Sequence, residues 1–169
     1  NPQSIYGKSK LSGEFLALAA NPESIVVRTA WLFSEYGENF VKTMLRLAKE
    51  RDTLSVVNDQ IGNPTYAGDL AQALIDILKS AGPARGVYHF CGDKSVSWYE
   101  FAQAIFQTAS ENIKGFKVPE LKPIPSEQYP TPAPRPAYSV LDCGKINRDF
   151  GVKTSDWQKA LGSIVGRFD

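Results

Sequence analysis

No Gly-x-Gly-x-x-Gly run occurs anywhere in the 169 residues. A complete phosphate-binding turn of a dinucleotide fold is therefore excluded within this chain. There is one histidine, His89, and a lone strand histidine gives no catalytic cluster. The two cysteines, Cys91 and Cys143, have no metal-like spacing. They are too few for a disulfide scaffold and read as small buried hydrophobes of a reducing, cytoplasmic protein. No His/Cys/carboxylate cluster suggests a protein-only metal site. No apolar run approaches the ~20 residues that span a bilayer, and the polar start Asn1-Pro2-Gln3-Ser4 is no secretory signal. Runs of basic residues are absent and the net charge is only +1. Neither nucleic acid nor an acidic membrane surface is implied as a partner. Asn1 is not an initiator methionine and a helical pattern begins almost at once, so the chain is expected to be part of a larger protein.

What is present reads as a globular domain. Hydrophobic residues make up 43% and charged residues 22%, near the usual soluble mix, and the length suffices for one sizeable core. Ile5 to Ala20 has helical spacing, with Leu11, Phe15, Leu16 and Ala19 recurring, and Asn21-Pro22 ends it. Residues 24–29 are β-branched and strand-like. Asn39 to Lys49 is an amphipathic helix, and residues 54–57 form a strand. A polar loop covers Asn58 to Thr65. Ala67 to Leu78 is a helix with Leu70, Ala71, Leu74, Ile77 and Leu78 on one face, broken after at Gly82-Pro83. Residues 86–90 are a strand. Ser97 and Glu100 have capping-box spacing and open a helix to about Ala109. Seven of the eleven prolines fall between Pro119 and Pro136, which predicts an extended loop wrapping the body, anchored by Leu121, Ile124 and Tyr129. Ser155 to Phe168 is a last helical region. Alternating helices and strands predict an α/β fold.

Tyr6 and Lys10 lie four apart on the first helix and share a face. A tyrosine hydroxyl, with its ordinary pKa of ~10, becomes a useful proton donor when an ammonium stabilises the phenolate. On spacing alone, an exposed helix face explains the pair as well. Trp31, after the first strand, reads on its own as core. Asn58-Asp59-Gln60 reads as turn chemistry. Gln60 and Thr65 are expected to line a site. Arg135 reads either as a phosphate fork or as half of a surface salt bridge.

The context of the pair is more specific. Pro2-x-x-x-Tyr6-Gly7-x-Ser9-Lys10-x-x-Gly13-Glu14 resembles the signature of the extended short-chain dehydrogenase/reductases. Arg28-Thr29-Ala30-Trp31-Leu32-Phe33, Asn39-Phe40-Val41-x-Thr43-Met44-Leu45 and Val57-Asn58-Asp59-Gln60-x-Gly62-x-Pro64-Thr65 resemble, in order, segments of the dTDP-4-dehydrorhamnose reductase family. Asp69-Leu70-Ala71 and the late Tyr129-Pro130-Thr131-Pro132-Ala133-x-Arg135-Pro136-x-x-Ser139-x-Leu141 extend the resemblance over essentially the whole chain.

The resemblance implies the C-terminal portion of a doubly wound, NAD(P)-binding Rossmann-type fold with its smaller substrate-binding lobe. Residues 1–35 would supply the catalytic helix and following strand. Residues 36–169 would be mostly substrate lobe, with segments returning to the main sheet. The glycine-rich N-terminal half and the family's catalytic threonine would lie upstream, leaving the isolated piece inactive and without tight dinucleotide binding. The implied reaction is reduction of dTDP-4-dehydro-L-rhamnose with NADPH or NADH. Tyr6 would be the proton donor, and Lys10 would bind the nicotinamide ribose and tune Tyr6. Trp31 would contact the substrate sugar. A homodimer is compatible, and the Mg2+ of some relatives cannot be carried over. Related nucleotide-sugar epimerases, and a non-catalytic regulatory subunit of methionine adenosyltransferase, are the competing readings. The intact Tyr6–Lys10 motif favours catalysis.

Overall fold

Ser4 starts the first helix: its hydroxyl accepts the Gly7 N–H at 3.0 Å, which satisfies one of the orphan donors of the first turn. In the computed structural model, which describes residues 2, 4–80, 85–131, 133 and 135–167, this helix α1 spans Ile5–Ala20 and closes with the Asn21 N–H on the Ala17 carbonyl. β1 (Ile25–Arg28) and β2 (Leu32–Phe33) follow. Asn39 caps α2 (Phe40–Glu50) by accepting from the Lys42 N–H. Then come β3 (Thr53–Val57), β4 (Ile61–Gly62), β5 (Thr65–Tyr66), α3 (Ala67–Lys79), β6 (Gly86–His89) and β7 (Val96–Ser97). α4 (Trp98–Asn112) opens on a complete Ser97/Glu100 capping box. β8 (Glu120–Ile124), α5 (Gly144–Phe150) and α6 (Trp157–Ile164) complete the chain, with a 3-10 turn at Val165–Arg167.

The strands pair two by two. β1 with β6, β2 with β5 and β3 with β8 are parallel, and β4 with β7 is antiparallel. The fold is α/β with parallel strands, as the alternation predicts. Two cores hold it. The larger is built on Phe101, Ile105 and Phe106 of α4, with Phe33, Met44, Leu54, Trp157 and Leu161 around them. The smaller joins Tyr88, Phe90 and Cys91 to Ile77 of α3 and Ile146 of α5.

Several expectations need correction. The proline-rich stretch is not loop throughout, because residues 120–124 form β8 on β3. Pro123 is tolerated there since β8 has a partner on one side only. Leu121 packs against the large core, but Tyr129 is 60% exposed and anchors nothing. α5 has no strong sequence signal: no side chain caps its start, and Gly151 ends it in the left-handed region at φ 68°. The apolar stripes of two helices are only partly used. Phe15 and Leu16 of α1 are exposed, as are Leu74 and Leu78 of α3. The expected Gly82-Pro83 break, Pro132 of the late motif and the helical end at Phe168 lie outside the described residues, as do Asn1 and Gln3 of the polar start. No helix of the described residues is long and apolar enough to cross a membrane.

Candidate active site

Parallel pairing brings loops to shared ends. β1 and β6 deliver 29–31 and 90–92 beyond one end of their ladder. β3 and β8 deliver 58–60 and 125–126 beyond theirs. In α/β sheets the carboxyl ends of the strands are where ligands bind.

α1 carries Tyr6 and Lys10 on an open surface. None of its residues is buried, and Tyr6 is 71% exposed. Lys10 Nζ stands 5.7 Å from the centre of the Tyr6 ring, within cation–π range. Gly7 is required between them: a Cβ there would sit 2.8 Å from Pro2 Cβ. The helix is fastened from its middle. Arg28 Nε and Nη2 donate to Glu14 Oε1 and Oε2 at 2.8 and 2.6 Å, a two-pronged pair tying α1 to the last residue of β1. That bond holds the Glu14 carboxyl below the usual carboxylate range, against the opposing pull of partial burial.

Just beyond β1, Trp31 adopts φ 47°, the one non-glycine in the left-handed region among the described residues. Such backbone is costly for a bulky residue and persists only where its surroundings enforce it. Its indole is closely packed. Trp98 stacks on one side, with centroids 3.5 Å apart and planes at 11°. Gly62 lies against the ring, and a Cβ there would come within 2.4 Å of Trp31 Cε2. The Thr65 N–H donates to the Trp31 carbonyl at 3.0 Å.

The other expected site residues separate. Thr65 is fully buried, its hydroxyl donating to the Asn63 carbonyl and accepting from the Gly92 N–H. Its backbone N–H supports Trp31 and its hydroxyl is taken up by these two backbone groups. Gln60 donates from Nε2 to Ser126 Oγ at 2.8 Å, so its amide is committed to the neighbouring turn. Asp59 accepts from the Ser126 N–H and hydroxyl, which hold its carboxyl low. Asn58 Oδ1 accepts from Ser97 Oγ at 2.8 Å. The Asn58–Gln60 loop is thus turn chemistry linking β3 to α4 and β8. Arg135 is exposed and makes no ion pair among the described residues, which removes the salt-bridge reading there.

Sequence reasoning missed four participants: Arg28 as the anchor of Glu14, Trp98 and Gly62 around Trp31, and Thr29. The Thr29 hydroxyl is buried with no hydrogen-bond partner among the described residues. Glu14 and Arg28 both stood inside quoted motifs, so a question about their partners would have found them. Trp98 gave no signal beyond following a cap.

Comparison with known proteins adds a second line. Residues 1–169 match the family model described as RmlD substrate binding domain. The chain is 52% identical over 168 residues to the dTDP-4-dehydrorhamnose reductase of Aggregatibacter actinomycetemcomitans, covering 97% of this chain and 57% of that protein. The crystal structure of a dTDP-4-dehydrorhamnose reductase from Clostridium acetobutylicum superposes with a TM-score of 0.87 at 41% identity, covering 96% of this chain and 55% of that one. That from Bacillus anthracis, in complex with NADP, gives 0.87 at 37% identity with the same coverage. The chain spans little more than half the length of these relatives.

Proposed function

The chain belongs to the RmlD substrate binding domain family, and on that premise we propose that its protein reduces dTDP-4-dehydro-L-rhamnose to dTDP-L-rhamnose with NAD(P)H. The observation that carries the reading is the exposed Tyr6–Lys10 pair, on a helix fastened to β1 by Glu14 and Arg28.

The bound cofactor supplies the hydride to C4 of the sugar. Tyr6 Oη gives the proton that the resulting C4 oxygen needs. The Lys10 ammonium stabilises the phenolate left behind and binds the nicotinamide ribose. Residues of this chain fit that cofactor in two respects. The pair is open to a ligand, and the buried Thr29 hydroxyl, next in sequence to the Arg28 that fastens α1, has no hydrogen-bond partner among the described residues. The chain holds no glycine-rich phosphate turn, so the pyrophosphate is held by other parts of the protein.

Trp31 offers its indole to the substrate sugar, and Arg135, exposed and with no ion pair among the described residues, takes a diphosphate oxygen through its planar fork. Thr65 and Gln60 act indirectly, by fixing Trp31 and the 126 turn. On this reading residues 1–35 belong to the dinucleotide-binding fold and 36–169 mostly to the substrate lobe. The parallel pairing of β6 with β1 supports a return of the chain to the first body.

The test is stoichiometric. Full-length protein given dTDP-4-dehydro-L-rhamnose and NADPH is expected to consume one cofactor per sugar reduced. Interconversion of a nucleotide sugar with no net cofactor consumption would replace the reductase with an epimerase.

A further inference from the structure

Cys91 follows β6 and Cys143 directly precedes α5. Both are free and buried, and both line the smaller core. Their sulfurs lie 3.4 Å apart. We infer that Cys91 and Cys143 form a dithiol site that a hydroperoxide oxidises to an intramolecular disulfide, and that the Trp31–Trp98 stack registers the change. The inference goes beyond the reductase reading and does not depend on it.

Geometry favours the link. A disulfide has its sulfurs ~2.05 Å apart, so the two atoms must approach by roughly 1.4 Å. Neither residue lies inside a strand ladder or a helix interior: β6 ends at His89, and Cys143 is the uncapped N-cap of α5. Two buried thiols in such contact have no packing need for each other's sulfur, since a pair of small hydrophobes would serve the core equally well.

The two sulfurs have different parts. Cys143 is the more accessible, at 8% against 1% for Cys91. The contact with Cys91 lowers the Cys143 thiol from its ordinary value, so of the two sulfurs Cys143 is the one that gives up its proton more readily. The same contact, together with burial, pushes the Cys91 thiol up and keeps its proton on. The Cys143 thiolate attacks the hydroperoxide: an S–O bond forms, the O–O bond breaks, and the leaving alkoxide takes up a proton. The Cys91 sulfur then attacks the sulfenic sulfur. The S–S bond forms, the S–O bond breaks, and the hydroxyl leaves as water with the Cys91 proton. Two sulfurs lose two electrons in all and the two peroxide oxygens gain them.

The neighbouring backbone transmits the movement. Cys91 is bonded to Gly92, whose N–H donates to Thr65 Oγ1 at 3.2 Å and whose carbonyl accepts from Asn63 Nδ2 at 2.9 Å. There is no slack at this contact: a Cβ on Gly92 would sit 2.0 Å from the Pro64 carbonyl oxygen. The Thr65 N–H in turn holds the Trp31 carbonyl at 3.0 Å. A shift at Cys91 therefore reaches the clamped indole through Gly92 and Thr65.

The experiment treats reduced, folded full-length protein with hydrogen peroxide, then quenches, denatures, alkylates and digests it. The expected product is a linked Cys91–Cys143 peptide pair, two hydrogens lighter than the separate peptides. Both alkylated peptides disappear together, and dithiothreitol restores them. The near-ultraviolet circular dichroism of the stacked tryptophans is expected to shift on oxidation in the wild type and to stay constant in Cys143→Ala. Alkylation unchanged from the untreated protein would overturn the inference. So would sulfinic acid at Cys143 without a link. A linked pair with unchanged dichroism would overturn the transmission to Trp31. Peptide mapping of the wild type decides the link even if the variant folds poorly.

Discussion

α1 and α4 are the two longest helices among the described residues, and their side chains are used in opposite ways. α4 buries Phe101, Ala102, Ile105, Phe106 and Ala109, a single face at helical spacing. Phe101 alone meets the rings of Phe33, Phe40 and Trp157 at centroid distances of 5.3–5.6 Å. α1 buries nothing, and Ile5 and Leu16 are more than two-thirds exposed. Among the described residues its side-chain anchors are the Ser4 cap and the Glu14–Arg28 ion pair. Helices of this length are marginal on their own in water, so the Glu14–Arg28 pair and the Ser4 cap matter more to α1 than comparable surface bonds matter to α4. The candidate chemistry sits on the helix that contributes least to the core.

Substitutions can break that contrast. The largest expected stability effect is Phe101→Ala, at about 3–5 kcal/mol by urea denaturation. Ile5→Ala on α1 is expected within roughly 0.5 kcal/mol of wild type. Equal costs would mean that α1 is packed as firmly as α4. Next is Gly62→Ala, whose methyl meets a Trp31 ring that is also stacked on Trp98. The expected loss is about 1–3 kcal/mol, with the stacked-tryptophan dichroism changed. An unperturbed spectrum would show that the clamp is looser than its geometry. Ser97→Ala removes half of the capping box and is expected to cost about 1 kcal/mol in the same denaturation assay.

The smallest effect sharpens the comparison through pH. The folded Glu14 carboxyl is held below its unfolded value by Arg28, so its contribution is present above the unfolded pKa of ~4.3. It is lost as pH falls through the folded value. Arg28 is 41% exposed, so solvent screening keeps the pair below about 1 kcal/mol. NMR of the α1 amides is expected to show fraying on acidification, and Glu14→Gln to fray at neutral pH. A variant with wild-type α1 shifts at neutral pH would remove the pair from the account.

Much of the fold was legible because local signals agreed with it. The bounds of α1 followed from Ser4 and Asn21-Pro22, and α4 from the Ser97/Glu100 box. β8 was not legible, because its strand state comes from pairing with β3, a contact between residues 67 positions apart that composition cannot show. α5 hid behind a weak start. At the site, spacing alone left Tyr6, Lys10 and Trp31 open, and the family resemblance singled them out. Spacing and resemblance could not show that Thr65 is buried, since burial is a tertiary property and its hydroxyl meets the Gly92 N–H beyond a distant strand end. They also missed Trp98 and Gly62, which matter only through the ring between them.

The measurement that bears most directly on α1 as the catalytic helix is the turnover of full-length Tyr6→Phe, read beside its melting midpoint. Within this chain the Tyr6 hydroxyl has no hydrogen bond among the described residues and the residue is 71% exposed, so the midpoint serves to separate a lost proton donor from a lost fold. Turnover is expected to fall about 10²–10⁴-fold, the usual worth of a positioned general acid. Wild-type turnover in the folded variant would contradict the assignment.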